Sequence, residues 1–362
     1  MKAQGRECNS AGRLIWVLSL IVTMTTSLRA EDFTYTTNAG TITITGYTGP
    51  GGPVNIPDTI GGLPVTGVGN SAFIHKTTVT AVTFGTNLTS IGDSAFRSCT
   101  NLMSIEWGSR VSNLATYAFT SCALTNLDIP DSITNIGMFA FAYCGHLTDA
   151  ALGNGLTSIG ISAFYNCTNL TNVTMGKRIA RVGNSAFESC QSLFSVSIGS
   201  GVTTLGAYAF HSCAGLTRVV IPHGFTTFEY APFGSCPSLK EVYFLGNVPL
   251  AADGNVFLYN SVATIYYLPG TTGWGPALSG HPTALWNPTI DTAAQEFGPQ
   301  PAGFGLPITG TTNIPIVLEA SSDLAAASWT PLLSGSLTNG AIPFIDPDWT
   351  NHSSRFYRIR SP

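Results

Sequence analysis

Seven cysteines are the side chains best able to do chemistry here: Cys99, Cys122, Cys144, Cys167, Cys190, Cys213 and Cys236. A metal site gathers Cys or His pairs within a few residues of one another. These cysteines instead stand 22 or 23 residues apart. The six histidines (His75, His146, His211, His223, His281 and His352) form no H-E-x-x-H or H-x-x-x-H pair. No G-x-S-x-G elbow, no G-x-x-x-x-G-K-[ST] phosphate loop and no strand-borne G-x-G-x-x-G occurs. The serines of Gly69-Asn-Ser71, Gly92-Asp-Ser94 and Gly183-Asn-Ser185 read as turn signals rather than nucleophiles. Asp346-Pro-Asp348 offers two acids, short of the oxygens that calcium needs, and reads as a loop. The Asn-x-Thr triplets at Asn87, Asn169 and Asn172 matter only in a glycosylating pathway. These patterns predict no catalytic residue, no metal and no cofactor.

The spacing itself points to what positions the cysteines. Each stands three residues after a phenylalanine: Phe96, Phe119, Phe141, Phe164, Phe187, Phe210 and Phe233. Phe73 opens the series with Lys76 in the cysteine position, and Phe257 closes it with Asn260. Between these marks runs an L-x-x-L-x-L stretch, as in Leu102-x-x-Ile105-x-Trp107 and Leu216-x-x-Val219-x-Ile221. A second apolar pair ending in glycine follows, as in Leu88-Thr-Ser-Ile91-Gly92 and Leu156-Thr-Ser-Ile159-Gly160. A 23-residue unit of this kind cannot bury its apolar edge alone, and stacking many makes a continuous core. The expected fold is therefore a β-rich solenoid of eight to nine coils, with parallel strands and short helical or turn corners, followed by a small all-β module. Stacked coils would set neighbouring cysteines about 4.8 Å apart. Disulfide Cβ atoms lie about 3.5–4.5 Å apart with turned vectors. A ladder of free, buried thiols is expected, beside a ladder of buried phenylalanines.

Composition agrees and narrows the function. Charged residues are 9% of the chain, against about 25% in ordinary soluble proteins. That argues against a nucleic-acid binder, which needs a Lys/Arg footprint on phosphates. Lys2, Arg6 and Arg13 precede the apolar run Leu14–Met24, and Ala30 offers a small residue for cleavage, so residues 1–30 read as a signal peptide. Removing them would take four of the 15 basic residues and one of the 19 acidic ones, moving the net charge from −4 to −7. No later run is long enough for a transmembrane helix, so a secreted or cell-surface protein is expected. Residues 31–64 read as an N-terminal cap and first partial coil, 65–287 as the solenoid, and 288–303 (with Pro288, Pro299 and Pro301) as a linker. Residues 304–362 read as the all-β module, with strands in Ile314–Glu319, Ala341–Ile345 and Arg355–Arg360.

The unit closed by Ala-Phe-x-x-Cys resembles the BspA-like leucine-rich repeat family of secreted and surface bacterial proteins. The last residues resemble a module found on secreted bacterial repeat proteins. The family resemblance implies a non-enzymatic scaffold for binding or adhesion, whose partner would be a protein or a glycan. Strand alternation turns the third and fifth residues of each L-x-x-L-x-L outward. The candidate binding face is thus Thr83, Glu106, Asn126, Asp128, Asp149, Asn172, Thr174, Arg218, Glu241, Tyr243 and Tyr266. Two other classes compare poorly. A β-helix polysaccharide-active enzyme needs acids converging on a cleft, and uniform coils offer none. An ice-binding threonine grid would be broken at Ala180 and Arg181. A purely structural envelope protein is the remaining alternative.

Overall fold

The computed structural model describes residues 32–250, 255–260, 263–325 and 328–360. The expected leader and its cleavage point lie outside the described residues. The chain opens with an antiparallel hairpin, Phe33–Asn38 against Thr41–Tyr47. Its turn residues Ala39 and Gly40 both take left-handed backbone (φ 48° and 78°), the twist that matches flanking strands. Thr41–Tyr47 then pairs in parallel with Leu63–Val68, and the stack begins.

About ten coils of about 23 residues follow one another, with almost no helix. Two parallel ladders run along them. The short ladder joins two-residue strands such as Ser90–Ile91, Asn113–Leu114, Asn135–Ile136 and Ser158–Ile159, and ends at Thr227–Phe228. The long ladder carries the L-x-x-L-x-L segments and lies in three pieces. The first contains Gly52–Ile56, Val79–Phe84 and Ser104–Glu106; the second contains Asn126–Ile129, Asp149–Leu152 and Asn172–Thr174. The third runs from Ser195–Ser197 through Arg218–Ile221, Glu241–Phe244 and Thr264–Tyr267 to His281–Leu285. Glycine is demanded where one coil crosses its neighbour: a Cβ on Gly160 would sit 2.4 Å from the Ile136 carbonyl oxygen.

The Ala-Phe corner is a run of turns, and it is bonded along the stack as thoroughly as a strand. The N–H groups of Ser94, Phe96 and Ser98 donate to the carbonyls of Thr116, Ala118 and Thr120 in the next coil. The alternate groups, Ala95 and Arg97, turn back onto Gly92 and Ser94. Left-handed residues on either side of the phenylalanine (Ser94 at 56°, Ser98 at 60°) produce this alternation. It leaves few backbone donors unpaired, as burial of the corner requires. Inside, the phenylalanines stack from Phe73 to Phe257 with centroids 4.6–5.9 Å apart. Tyr47 closes one end of the column and His281 the other.

Two expectations change at the C-terminus. The proline-rich stretch read as a linker is built into a sheet: Thr289–Ile290 and Gly298–Gln300 both pair with Gly303–Thr309. Pro299 lies in an edge strand of that sheet, where a missing N–H is tolerated, and Pro301 in the turn that follows it. Ala341–Asp346 completes it, and a second sheet holds Thr330–Ser336, Pro315–Ser321 and Phe356–Arg360. The two sheets share a core of Leu306, Ile308, Ile314, Ile316, Leu318 and Leu337. Asp346, read from sequence as a loop acid, is buried and accepts bonds from Arg355 Nε (2.6 Å) and the Tyr357 hydroxyl (3.0 Å).

Candidate binding face

Strand alternation turns the apolar residues of the long ladder into the core and leaves two outward columns. One runs Ala81, Ser104, then Asn126, Asp149, Asn172, then Ser195, Arg218, Glu241, Thr264. The other runs Thr83, Glu106, then Asp128, Ala151, Thr174, then Ser197, Val220, Tyr243, Tyr266. Every candidate residue read from the sequence lies in one of these columns. They do not all face water.

Glu106, Asn126, Asp128, Asp149, Asn172 and Thr174 are exposed, and Thr83 is half-buried. Thr83 donates to Glu106 Oε2 (3.1 Å) along the column. The Thr148 hydroxyl, whose single proton goes to the Thr125 carbonyl one coil earlier, also lies within bonding distance of Asp149 Oδ2 (2.8 Å) and Asn126 Oδ1. This part of the face carries small polar residues and three acids, Glu106, Asp128 and Asp149. The other end is covered. Tyr243 and Tyr266, expected on the open face, are 4% and 7% exposed and belong to the core of the C-terminal module. They stack on each other with centroids 5.0 Å apart, and the Trp286 ring meets Tyr243 edge-on. Trp286 Nε1 donates to the Pro315 carbonyl, tying solenoid to module. Arg218 and Glu241 are half-buried at the margin. The Arg218 guanidinium lies over the Tyr243 ring, and the Tyr243 hydroxyl donates to Glu241. Burial first, and then the Glu241 charge, push the Tyr243 hydroxyl far above its ordinary pKa. The cause is simple: outward from the solenoid is inward for the module packed on it.

The seven cysteines among the described residues are buried free thiols. Each Sγ donates to the carbonyl of the phenylalanine one coil earlier, at 3.1–3.3 Å. Burial pushes Cys99, Cys144 and Cys236 up to about 12, and the other four well above the ordinary value. Sequence reasoning missed this hydrogen bond. It also missed the use of threonine, which is about one residue in eight. Thr148, Thr171 and Thr217 donate their hydroxyls to carbonyls of the preceding coil at one corner of the coil, and Thr89, Thr134, Thr203 and Thr226 do so at another. The 23-residue spacing of these threonines was the available signal.

A family model described as BspA type leucine rich repeat region matches in six copies, over residues 66–193 and 139–264. Among solved structures, the chain is similar to the T. pallidum leucine rich repeat protein, with 25% identity, 66% of this chain and 86% of that chain covered, and a TM-score of 0.32. It is similar to a leucine-rich repeat protein from Bacteroides ovatus ATCC 8483, with 21% identity, 67% and 78% covered, and a TM-score of 0.39. A leucine rich cell surface protein from Faecalibacterium prausnitzii A2-165 shares 20% identity over 61% of this chain and 95% of its own, with a TM-score of 0.30. No curated protein sequence matches the chain.

Proposed function

The chain belongs to the BspA-type leucine-rich repeat family, and from that premise we propose that it is an exported, non-enzymatic scaffold that binds a protein or a glycan. The binding face is the open part of the long ladder, from Thr83 to Ser197. The observation that carries this reading is the contrast between the two ends of the long ladder. Its far end is already occupied by the module on Tyr243 and Tyr266, while Glu106, Asn126, Asp128, Asp149, Asn172 and Thr174 stand exposed. Flat sheets held rigid by stacking are what repeat proteins present to partners. The thiols, the chain's best nucleophiles by type, are buried and held protonated, which supports a scaffold over an enzyme. The positive leader and apolar run at residues 1–24 support export.

The test is to probe an array of glycans and secreted proteins with residues 31–362. A double variant, Glu106→Lys with Asp149→Lys, should weaken the captured ligand by about tenfold or more through reversed charge at the face. Its circular dichroism should stay unchanged. Ligand binding untouched by the double variant would overturn the assignment of the face. Reproducible turnover of a polysaccharide, ester or peptide, abolished by one substitution, would overturn the scaffold.

A further inference from the structure

Six of the seven cysteine corners reach their long strand through Cys-x-x-Leu, as in Cys99-Thr-Asn-Leu102 and Cys144-Gly-His-Leu147. One does not: Cys122-Ala-Leu124 is a residue short. In the six full-length corners the leucine N–H closes a turn onto the cysteine carbonyl at 2.9–3.2 Å; Leu124 makes no such bond. Ser104–Glu106 and Asn126–Ile129, on either side of this short corner, fall in different sheets, as Asn172–Thr174 and Ser195–Ser197 also do beside a corner of full length. The missing residue would have stood between Asn101 and His146, and there a cavity of about 340 Å³ opens.

The lining is unlike the rest of the stack. Thr148, Thr171 and Thr217 give their hydroxyls to a carbonyl of the preceding coil. Thr125, in the same column, reaches Met103 only through its backbone N–H (3.3 Å), which leaves its hydroxyl to the cavity. Thr80, Thr100 and His146 line the same space. Asn101 uses its amide nitrogen on the Thr77 carbonyl (2.7 Å), so its side-chain oxygen is the group left to accept. Met103, half exposed, and Ala123 supply an apolar wall. No charged side chain lines the cavity, and Glu106 lies three residues from Met103 on the adjoining acidic face.

We infer that this notch is a subsite for one neutral sugar residue of a glycan. The proposal rests on the scaffold reading above and names its ligand class. Hydroxyls, an amide oxygen and an imidazole can exchange hydrogen bonds with sugar hydroxyls, while Met103 and Ala123 cover the C–H face. A site that hydrogen-bonds a ligand hydroxyl rejects analogues lacking it. The lining holds no lysine or arginine to pair with the carboxylate of a uronate or a sialic acid.

The experiment titrates residues 31–362, labelled at methionine methyls, with neutral oligosaccharides of glucose, galactose, mannose and N-acetylglucosamine, and with acidic ones. The expected result is a shift of the Met103 signal by at least one neutral oligosaccharide, with acidic sugars about tenfold weaker or more. Inserting one Asn between Ala123 and Leu124 restores the common repeat length and fills the gap. It should abolish that binding while leaving the melting temperature unchanged or higher. Thr125→Val, which keeps the volume, should weaken it several-fold. No neutral sugar shifting Met103 would overturn the proposal. Sugar binding that survives the insertion but falls with Glu106→Lys and Asp149→Lys would overturn the notch and leave the face standing. Capture of a protein, but of no sugar, that is lost on insertion would overturn the sugar assignment.

Discussion

The Sγ of Cys167 donates to the carbonyl oxygen of Phe141 at 3.3 Å, reaching back 26 residues across one coil of the stack. Among the described residues that carbonyl receives no backbone bond. At the last coil Asn260 takes the cysteine's place and donates its amide nitrogen to Phe233 at 2.6 Å. The recurring cysteine is therefore a buried donor as well as a filler of volume. Cys167→Ala should cost about 2–3 kcal/mol, from an unsatisfied buried carbonyl plus a small cavity. Cys167→Ser keeps a donor and should cost less than half as much. Urea midpoints of the two variants check this; equal losses would reduce the thiol to packing.

The thiol ladder also sets an alkaline limit. Unfolded cysteine ionises near pH 8.5, at about 8–9, whereas burial holds these thiols protonated to about 12 or above. The unfolded chain thus loses its protons first, and stability falls as pH rises from about 8.5 toward 12. Each thiol contributes about 1.4 kcal/mol per pH unit within that window. Replacing Cys144 and Cys190 together by Ala should make the fall shallower by about two protons. Denaturant midpoints that stay level between about pH 7.5 and 10 would contradict a buried, protonated ladder.

Phe164 and Phe187 stack at 5.1 Å with planes 4° apart in the middle of the column. Truncating either to Ala should cost about 3–5 kcal/mol, because neighbouring coils are held in register and cannot collapse into the space. A loss below about 1 kcal/mol in denaturant unfolding would be incompatible with a close-packed aromatic column.

In the C-terminal module, burial acts to raise the Asp346 carboxyl, but hydrogen bonds from Arg355, the Asp348 N–H and Tyr357 outweigh it and hold it below its ordinary value. Its contribution is present above the unfolded carboxylate pKa, about 4, and is lost as pH falls through the lower folded value. Asp346→Ala leaves the Arg355 guanidinium, 13% exposed, without its counter-charge and should destabilise the module by about 3–5 kcal/mol. Tryptophan fluorescence from Trp329 and Trp349 follows the module's unfolding. An unchanged acid transition in the variant would remove Asp346 from that role.

The 23-residue period, the parallel strands, the inward Phe and Cys ladders and the two outward columns are all legible in the sequence. They are properties of a repeating unit, and period-2 alternation reports which side of its own sheet a residue faces. What lies beyond that side is decided elsewhere. Tyr243 and Glu106 occupy one column and read alike, yet Tyr243 is buried because Leu306, Ile308 and Ile316, more than 60 residues later in the chain, pack with it in one core. Asn260 reads as a departure from the pattern, and only the stack reveals that it makes the cysteine's hydrogen bond. The single short step at Cys122-Ala-Leu124 is visible to anyone counting. That a cavity opens beside it depends on coils on both sides keeping their register while one shortens. Local periodicity determined the coil; contacts between distant coils and the module determined which of its surfaces remain open.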